Sequence, residues 1–278
     1  MISIVTVSHK SKVSLKAYVE SFLKHNIDSN IEFIIVENSQ KERIDKVVSP
    51  LADAGYSLKT IYTANDGFGA ACNLGAKHAA GECLLFVNPD IIFETSLSIL
   101  ADKFVPGTWG TCQIMTTKKV AESFDLYPEF KTFGSEIIKL HRFLTYLYPI
   151  VKKYVFPTGS FFFVSRCRFL KINGFDESFF LYYEETELAK RLYNELGAPM
   201  YIRAIKATHI GKTSHANIFK AMENECDGFI NYCKVTKNRG LLNRRLETLK
   251  LLSFFSENAK YRRTLLSERL VSVDSKEC

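Results

Sequence analysis

Short β-branched runs alternate with helical patterns from the first residues of this chain, and that alternation limits the fold more than any other feature. Ile2 to Val7 is one such run, and apolar residues at Leu15, Tyr18, Val19, Phe22 and Leu23 then recur at helical spacing. Ile31 to Val36 is a second strand pattern, closed by Glu37-Asn38-Ser39 and followed by a helix expected through Val47 and Leu51. Leu58 to Tyr62 reads as a third strand, Phe68 to Ala79 as a small-residue helix, and Cys83 to Val87 as a fourth strand. A β-α-β-α-β-α-β order predicts a parallel sheet with helices on both faces.

The pattern continues less regularly. A helix is expected near Ser96 to Lys103 and a strand around Gly110 to Met115. Thr116 to Pro149 has no clean period and holds the aromatic cluster Phe143, Tyr146 and Tyr148, a variable excursion of the kind where acceptor recognition lies. Phe161 to Val164 is a strand, Gly174 to Glu177 a turn, and Glu184 to Leu196 a helix stopped by Gly197 and Pro199. Met200 to Ile205 is the last strand, leading into a polar loop through His209, Gly211 and Ser214. Beyond it the chain is helical and basic.

At 278 residues the chain fits one large α/β domain with an extension, or two small domains. No apolar run approaches the roughly 18 residues of a membrane span, and the N-terminal residues lack the basic start of a signal peptide, so a cytoplasmic location is expected. The seven cysteines stand singly, in a pattern that fits neither a disulfide framework nor a zinc site. A net charge of +7 is compatible with anionic substrates, membrane or nucleic acid, and decides nothing alone. No nucleic-acid-binding motif is present.

Chemistry concentrates where strands end. Asp90, in Asn88-Pro89-Asp90, follows the fourth strand and falls at the carboxyl edge of the sheet, where open α/β folds bind ligands. A carboxylate there can hold a hard cation such as Mg²⁺ or Mn²⁺, with Asn88 adding only a neutral oxygen; the plain alternative is a turn at a strand end. Glu37 can accept hydrogen bonds from a nucleobase or ribose, although Asn38 and Ser39 would also suit a helix cap. The glycines of Asn65-Asp66-Gly67-Phe68-Gly69 permit either an anion site at a helix start or simply a tight strand-to-helix turn. In Glu184-Glu185-Thr186-Glu187, negative charge suits a helix N-terminus and Glu187 can pair with Arg191. The aromatic surround of Phe179, Phe180, Tyr182 and Tyr183 would also partly desolvate a carboxylate and raise its pKa, as proton transfer requires. His209 falls where a second metal or diphosphate ligand would be useful, though a lone histidine is more often structural.

In order along the chain, IVTVSHKS, VENS, NDGFGAACNLG, FVNPDI, TGSFFFVSR, GFDESFFLYYEETELAKRL and HIGKTS resemble the inverting glycosyltransferases of family 2, above all bacterial rhamnosyltransferases and galactofuranosyltransferases of surface polysaccharides. The resemblance spans nearly all of residues 1–215. It implies a GT-A fold: a Rossmann-like α/β domain with a mixed, mostly parallel central sheet flanked by helices. Residues 1–115 would bind the nucleotide sugar, 116–215 the acceptor and catalytic groups, and 216–278 would form a helical basic C-terminal extension. It implies that Thr6, Ser8 and Glu37 line the nucleotide pocket, that Asp66, Asn73 and Asn88 contact the donor, and that Asp90 binds Mg²⁺ or Mn²⁺ with help from His209. Glu185, or its neighbour Glu184, would be the catalytic base. The family usually has Asp where this chain has Glu37, Glu185 and Glu187, and often at Asn88.

The activity so implied is transfer of a sugar, L-rhamnose from dTDP-rhamnose first among the choices, to a hydroxyl of a growing surface polysaccharide or lipid-linked glycan. UDP-galactose or another UDP-hexose is the alternative donor, and a non-catalytic nucleotide- or carbohydrate-binding relative the alternative class. A nucleotidyltransferase fits less well, because Val7 to Ser11 is not glycine-rich. In the tail, Leu242, Leu246, Leu249 and Leu252 form an apolar stripe among basic residues. That stripe would either pack on the catalytic domain or lie on the anionic inner face of the plasma membrane.

Overall fold

A computed structural model describes residues 1–26, 30–211 and 218–274 of the chain. The strands β1 (Ile2–Ser8), β2 (Ile31–Glu37), β3 (Ser57–Tyr62) and β4 (Cys83–Val87) lie parallel in the order β3-β2-β1-β4. The apolar residues of β1, β2 and β4 are buried on both faces, as parallel strands inside a sheet require, while β3 at the edge is half-buried. On one face α1 (Lys12–His25) and α2 (Asp45–Asp53) set Leu15, Tyr18, Phe22, Val48 and Leu51 against Ile4, Phe33 and Ile35. On the other, α3 (Phe68–His78) packs through Ala71, Cys72 and Ala76. Small residues let α3 sit close to the sheet. A Cβ added at Gly75 would lie 2.4 Å from Cγ1 of Val5.

After β4 the topology departs from a simple parallel sheet. The short β5 (Ile91–Phe93) and α4 (Ser98–Lys103) lead to β6 (Trp109–Thr116). The segment that lacks a sequence period folds into β7 (Phe124–Leu126), α5 (Phe133–Ile137) and α6 (Leu144–Val151), and β7 pairs with β8 (Val155–Pro157) in a separate two-stranded sheet. The strands β9 (Phe161–Ser165) and β10 (Met200–His209) complete an eight-stranded sheet in the order β3-β2-β1-β4-β9-β6-β10-β5. In it β9 runs antiparallel to both β4 and β6, and β5 antiparallel to β10, so the sheet is mixed. The helices α7 (Arg166–Lys171) and α8 (Glu184–Leu196) join α3 on its face through Phe169, Leu188 and Leu192.

One expectation changes here, and one open alternative is decided. The last strand does not end at Ile205. A register shift between Ile202 and Lys206 breaks its pairing with β6, after which the strand resumes and carries His209 opposite Thr116. The basic tail forms α9 (Ile218–Val235), α10 (Arg239–Leu252) and α11 (Glu257–Asp274), and its leucine stripe is covered by protein. Leu241 and Leu249 are buried with Phe179, Phe229 and Tyr232, and Leu242, Leu246 and Leu252 pack on the same cluster. Arg245 bonds Glu136 at 2.9 Å, and Arg262 bonds Glu225 at 2.7 and 2.9 Å. The packing alternative therefore holds for this stripe.

Cys72, Cys83, Cys112, Cys226 and Cys233 are free and buried, in keeping with small apolar side chains. Cys278 and Ser214 lie outside the described residues. No helix among the described residues is long and apolar enough to cross a membrane.

Candidate active site at the carboxyl edge of the sheet

Pairing in register sets Ser8 beside Glu37, and Glu37 beside Tyr62, at the carboxyl ends of β1, β2 and β3. Glu37 is wholly buried. Its carboxylate accepts from Ser8 Oγ at 2.6 Å and from the Ser39 amide at 2.7 Å. Asn38 joins the neighbouring loops, with Oδ1 2.9 Å from His9 Nδ1 and Nδ2 donating to Asn65 Oδ1 at 3.1 Å. Neither Asn38 nor Ser39 caps α2, which starts at Asp45. Thr6 points toward α1, where its hydroxyl lies 3.0 Å from the Tyr18 hydroxyl, and it shows no surface to a ligand. Ser8 and Glu37 are thus a hydrogen-bonded floor at this edge, with Thr6 beneath it.

The glycine-rich turn is occupied by protein. Gly67 has φ +111°, and a Cβ there would lie 2.7 Å from the Phe180 carbonyl oxygen, which accepts from the Phe68 amide at 3.0 Å. The first N–H of α3 is therefore taken. Asn73 is taken as well. Its Nδ2 donates to the Phe175 carbonyl and to Glu177 Oε1, both at 2.9 Å, and its Oδ1 accepts from the Phe175 amide. Through these bonds Asn73 fastens the 174–177 turn to α3. Asp66 is exposed beside this turn, and Asn88 is half-buried with its backbone amide donating to the Ser160 carbonyl at 2.9 Å.

Asp90 and His209 meet because β5 and β10 pair antiparallel. His209 is opposite Ile91, and the Ile210 amide donates to the Asp90 carbonyl. His209 Nε2 lies 3.3 Å from Asp90 Oδ1, and its Nδ1 lies 2.9 Å from Glu122 Oε2. Glu122 is carried there by the turn after β6, where Met115 bridges Ala121 and the Glu122 amide donates to the Ile114 carbonyl. Burial would lower the pKa of His209, but the hydrogen bonds and charges of Asp90 and Glu122 override it and raise the imidazole to about 10. The ring bridges the two carboxylates, and no cluster of three or more ligating side chains forms among the described residues. Asp90 and His209 could hold a divalent cation there only with the Nε2 proton released, because a protonated imidazole has no lone pair to give a metal. Glu122 on Nδ1 is the outer carboxylate that would hold Nε2 toward a metal. Nothing in the sequence marks Glu122, which lies in the stretch without a period.

The acidic run at the start of α8 separates into three environments. Glu187 pairs with Arg191, at 2.6 Å to Nε and 2.5 Å to Nη2, as the i,i+4 spacing predicts. Glu184 is buried toward α3, and burial, with the Glu185 charge adding to it, pushes its pKa well up. Glu185 instead faces a cavity of about 310 Å³, lined also by Asp125, Lys131, Tyr182, Glu225 and Arg262. Burial raises its pKa too, Asp125 adds to the shift, and Lys131 opposes it. Lys131 is held by Asp125 at 2.6 Å and Arg262 by Glu225, so the other cavity charges are paired. Oε2 of Glu185 finds no hydrogen-bond partner among the described residues, and nor does Oε2 of Glu184. Of the two, Glu185 is the one whose side chain lines the cavity, with Oε2 itself buried. Tyr182 and Tyr183 reach it through consecutive left-handed backbone, φ +71° and +69°, a costly conformation for bulky residues.

The sequence profile of the family described as Glycosyl transferase family 2 matches residues 3–175, more than half of the chain. The chain belongs to glycosyl transferase family 2. It is 23% identical to the rhamnosyltransferase WbbL of Escherichia coli K12 over 269 residues, 90% of this chain and 98% of that protein. Among solved structures it resembles the Pyrobaculum calidifontis mannosyltransferase PcManGT, in complex with GDP-Man and Mn²⁺, at a TM-score of 0.60 and 10% identity, over 99% of this chain and 75% of the other. It resembles TarS of S. aureus at 0.54 and 12% identity, over 98% of this chain and about half, 53%, of TarS. These likenesses identify the GT-A architecture, and the family identifies a transferase.

Proposed function

We propose that this family 2 enzyme moves a sugar, L-rhamnose from dTDP-rhamnose as first choice, onto a hydroxyl of a growing surface polysaccharide or lipid-linked glycan, with inversion. The observation that carries the catalytic part is Glu185: a carboxylate of raised pKa, with an oxygen lacking a partner, on the wall of a cavity large enough for a sugar. Its carboxylate accepts the proton of the acceptor hydroxyl while that oxygen attacks the anomeric carbon of the donor. Lys131 and Asp125, paired beside it, offer hydrogen bonds that orient the acceptor. The donor occupies the carboxyl edge of β1 to β4, over the Ser8–Glu37 floor and beside Asp66 and Asn88. Asp90 and His209 would hold Mg²⁺ or Mn²⁺, with Glu122 fixing the imidazole. Such a cation supplies Lewis-acid stabilisation to the departing nucleoside diphosphate.

The full-length likeness to WbbL supports rhamnose. Mn²⁺ in the PcManGT complex supports the metal. Nucleotide sugars, UDP-GlcNAc on TarS and GDP-Man on PcManGT, support the donor class. The test is a thermal-shift screen of NDP-sugars with Mg²⁺ and Mn²⁺, followed by turnover of those that bind. A donor at about 100 times its Kd stabilises the fold by about 2.7 kcal/mol. The expected order places dTDP-rhamnose first, with its shift metal-dependent and lost in Asp90→Ala. A UDP-hexose that binds and turns over better would replace the donor assignment. Donor binding without turnover would favour a non-catalytic relative.

A further inference from the structure

The helix α6 is apolar on both faces. Leu144 and Tyr148 are buried against Phe124, Leu126 and Val155, with the Tyr148 ring stacked on Phe124 at 4.3 Å. Phe143, Tyr146, Leu147 and Ile150 follow the i, i+3, i+4, i+7 spacing on the other face, and all four are exposed, Ile150 by 78%. A helix that is apolar all round is ordinarily enclosed by protein or lipid; nothing among the described residues encloses this one. The surface continues through α5, where Ile137 and Ile138 are exposed. It reaches the α10–α11 turn through the Phe133–Phe255 ring contact at 6.5 Å, where Phe254 and Phe255 are exposed by 78% and 72%.

Charge selects the occupant. Residues 139–153 contain Lys139, Arg142, Lys152 and Lys153 and no Asp or Glu, and these four basic residues are exposed at the two ends of the apolar stripe. Aromatic and aliphatic side chains flanked by Lys and Arg fit a headgroup layer that is anionic outside and apolar beneath. A second copy paired on this face by two-fold symmetry would set one cationic rim against the other, which is unfavourable. The position is also apt. Lys131 and Asn258, either side of the Phe133–Phe255 contact in the chain, line the cavity that Glu185 faces.

We infer that α5, α6 and the Phe254–Phe255 turn form a membrane-docking surface for an anionic lipid bilayer, which seats the Glu185 cavity at the lipid surface. The inference rests on the lipid-linked acceptor of the proposed function for its purpose, but not for its test. The experiment is co-sedimentation of the full chain with vesicles of phosphatidylcholine alone and with phosphatidylglycerol added, at low and high salt, with no acceptor present. The wild type is expected to bind the anionic vesicles, less so at high salt. Tyr146→Ser with Ile150→Ser and Phe254→Ser should reduce partitioning by at least about tenfold, as loss of buried apolar area requires. Lys152→Glu with Lys153→Glu should reduce it by at least about fivefold per residue and remove most of the salt dependence. Lys234→Glu with Lys237→Glu makes the same change in net charge elsewhere on the surface and should leave binding near the wild type. Circular dichroism and donor-induced thermal shift, both unchanged, confirm that each variant is folded. No wild-type binding, no effect of the apolar variant, or an equal loss in the Lys234 and Lys237 variant would each overturn the inference. So would an apolar variant that changes the oligomeric state while vesicle binding persists, because a second copy would then cover this face.

Discussion

Three glutamates within four positions of α8 differ in chemistry because their surroundings differ. Glu187 is neutralised by Arg191, Glu184 is buried without charge compensation, and Glu185 opens on a cavity. Glu185→Gln is expected to lower turnover by about two to four orders of magnitude while donor binding stays nearly intact, since only the proton acceptor is lost. In the wild type the acid limb of the kcat profile should lie above the ordinary carboxylate range, because the raised pKa keeps Glu185 protonated, and inactive as a base, to higher pH. The limb should disappear in Glu185→Gln. Should Glu184→Gln give this pattern instead, the base is the buried neighbour. Glu184 has its own signature in stability. Below the unfolded carboxyl pKa, near 4.5, it is protonated in both states and costs nothing; as pH rises past that value, the unfolded chain releases a proton that the folded chain retains, and stability falls. Glu184→Gln should therefore melt higher than the wild type at neutral pH, by about 2–4 °C for each kcal/mol relieved. The difference should close near pH 4; a variant that melts lower at pH 7 would refute this account.

At the scale of elements, the position of Glu185 depends on how α8 begins. The left-handed Tyr182 and Tyr183 turn the chain into the helix, and α9 presses on them from outside. A Cβ at Gly228 of α9 would lie 2.4 Å from the Tyr182 carbonyl oxygen, so only glycine allows this approach. Gly228→Ala is expected to destabilise the fold by about 1–3 kcal/mol, the usual cost of forced overpacking. It should also lower turnover without a matching loss of donor binding, because the displaced segment is the one that precedes Glu185. Melting curves and donor titrations on the same variant would decide it, and an unchanged melt together with unchanged turnover would remove Gly228 from the site. The pairing of β5 with β10 is the corresponding device on the metal side, bringing Asp90 to His209.

Across the whole molecule, the C-terminal helices close the site as well as extend the chain. Ala221, Met222 and Glu225 of α9 and Asn258 and Arg262 of α11 form one wall of the cavity, and Phe179, in the segment before α8, is buried among the tail's own core residues. Ending the chain at residue 217 would uncover Phe179 and Tyr183, at about 1.5–3 kcal/mol each, against a total stability of about 5–15 kcal/mol. The truncated protein is expected to melt at least about 5 °C lower and to lose acceptor-dependent turnover. A truncated chain with wild-type melting and turnover would show that the extension is dispensable.

What the sequence determined alone was local. Apolar runs located β1 to β4, the small-residue segment located α3 and the stop at Gly197 located α8, and the Glu187–Arg191 spacing predicted its pair, because each depends on residues close along the chain. The turn Asn88-Pro89-Asp90 marked the edge of the sheet, and the run at Glu184 the start of a helix, for the same reason. What tertiary structure decided was every contact between distant parts of the chain. Asn73 turned out to hold the Phe175 backbone 102 positions away, and His209 to meet Glu122, 87 positions away. The insertion of β9 between β4 and β6, the enclosure of the leucine stripe and the exposure of the outer face of α6 followed from packing between segments. A periodic pattern shows that a helix has an apolar face, but only the folded chain determines whether another part of the protein covers it.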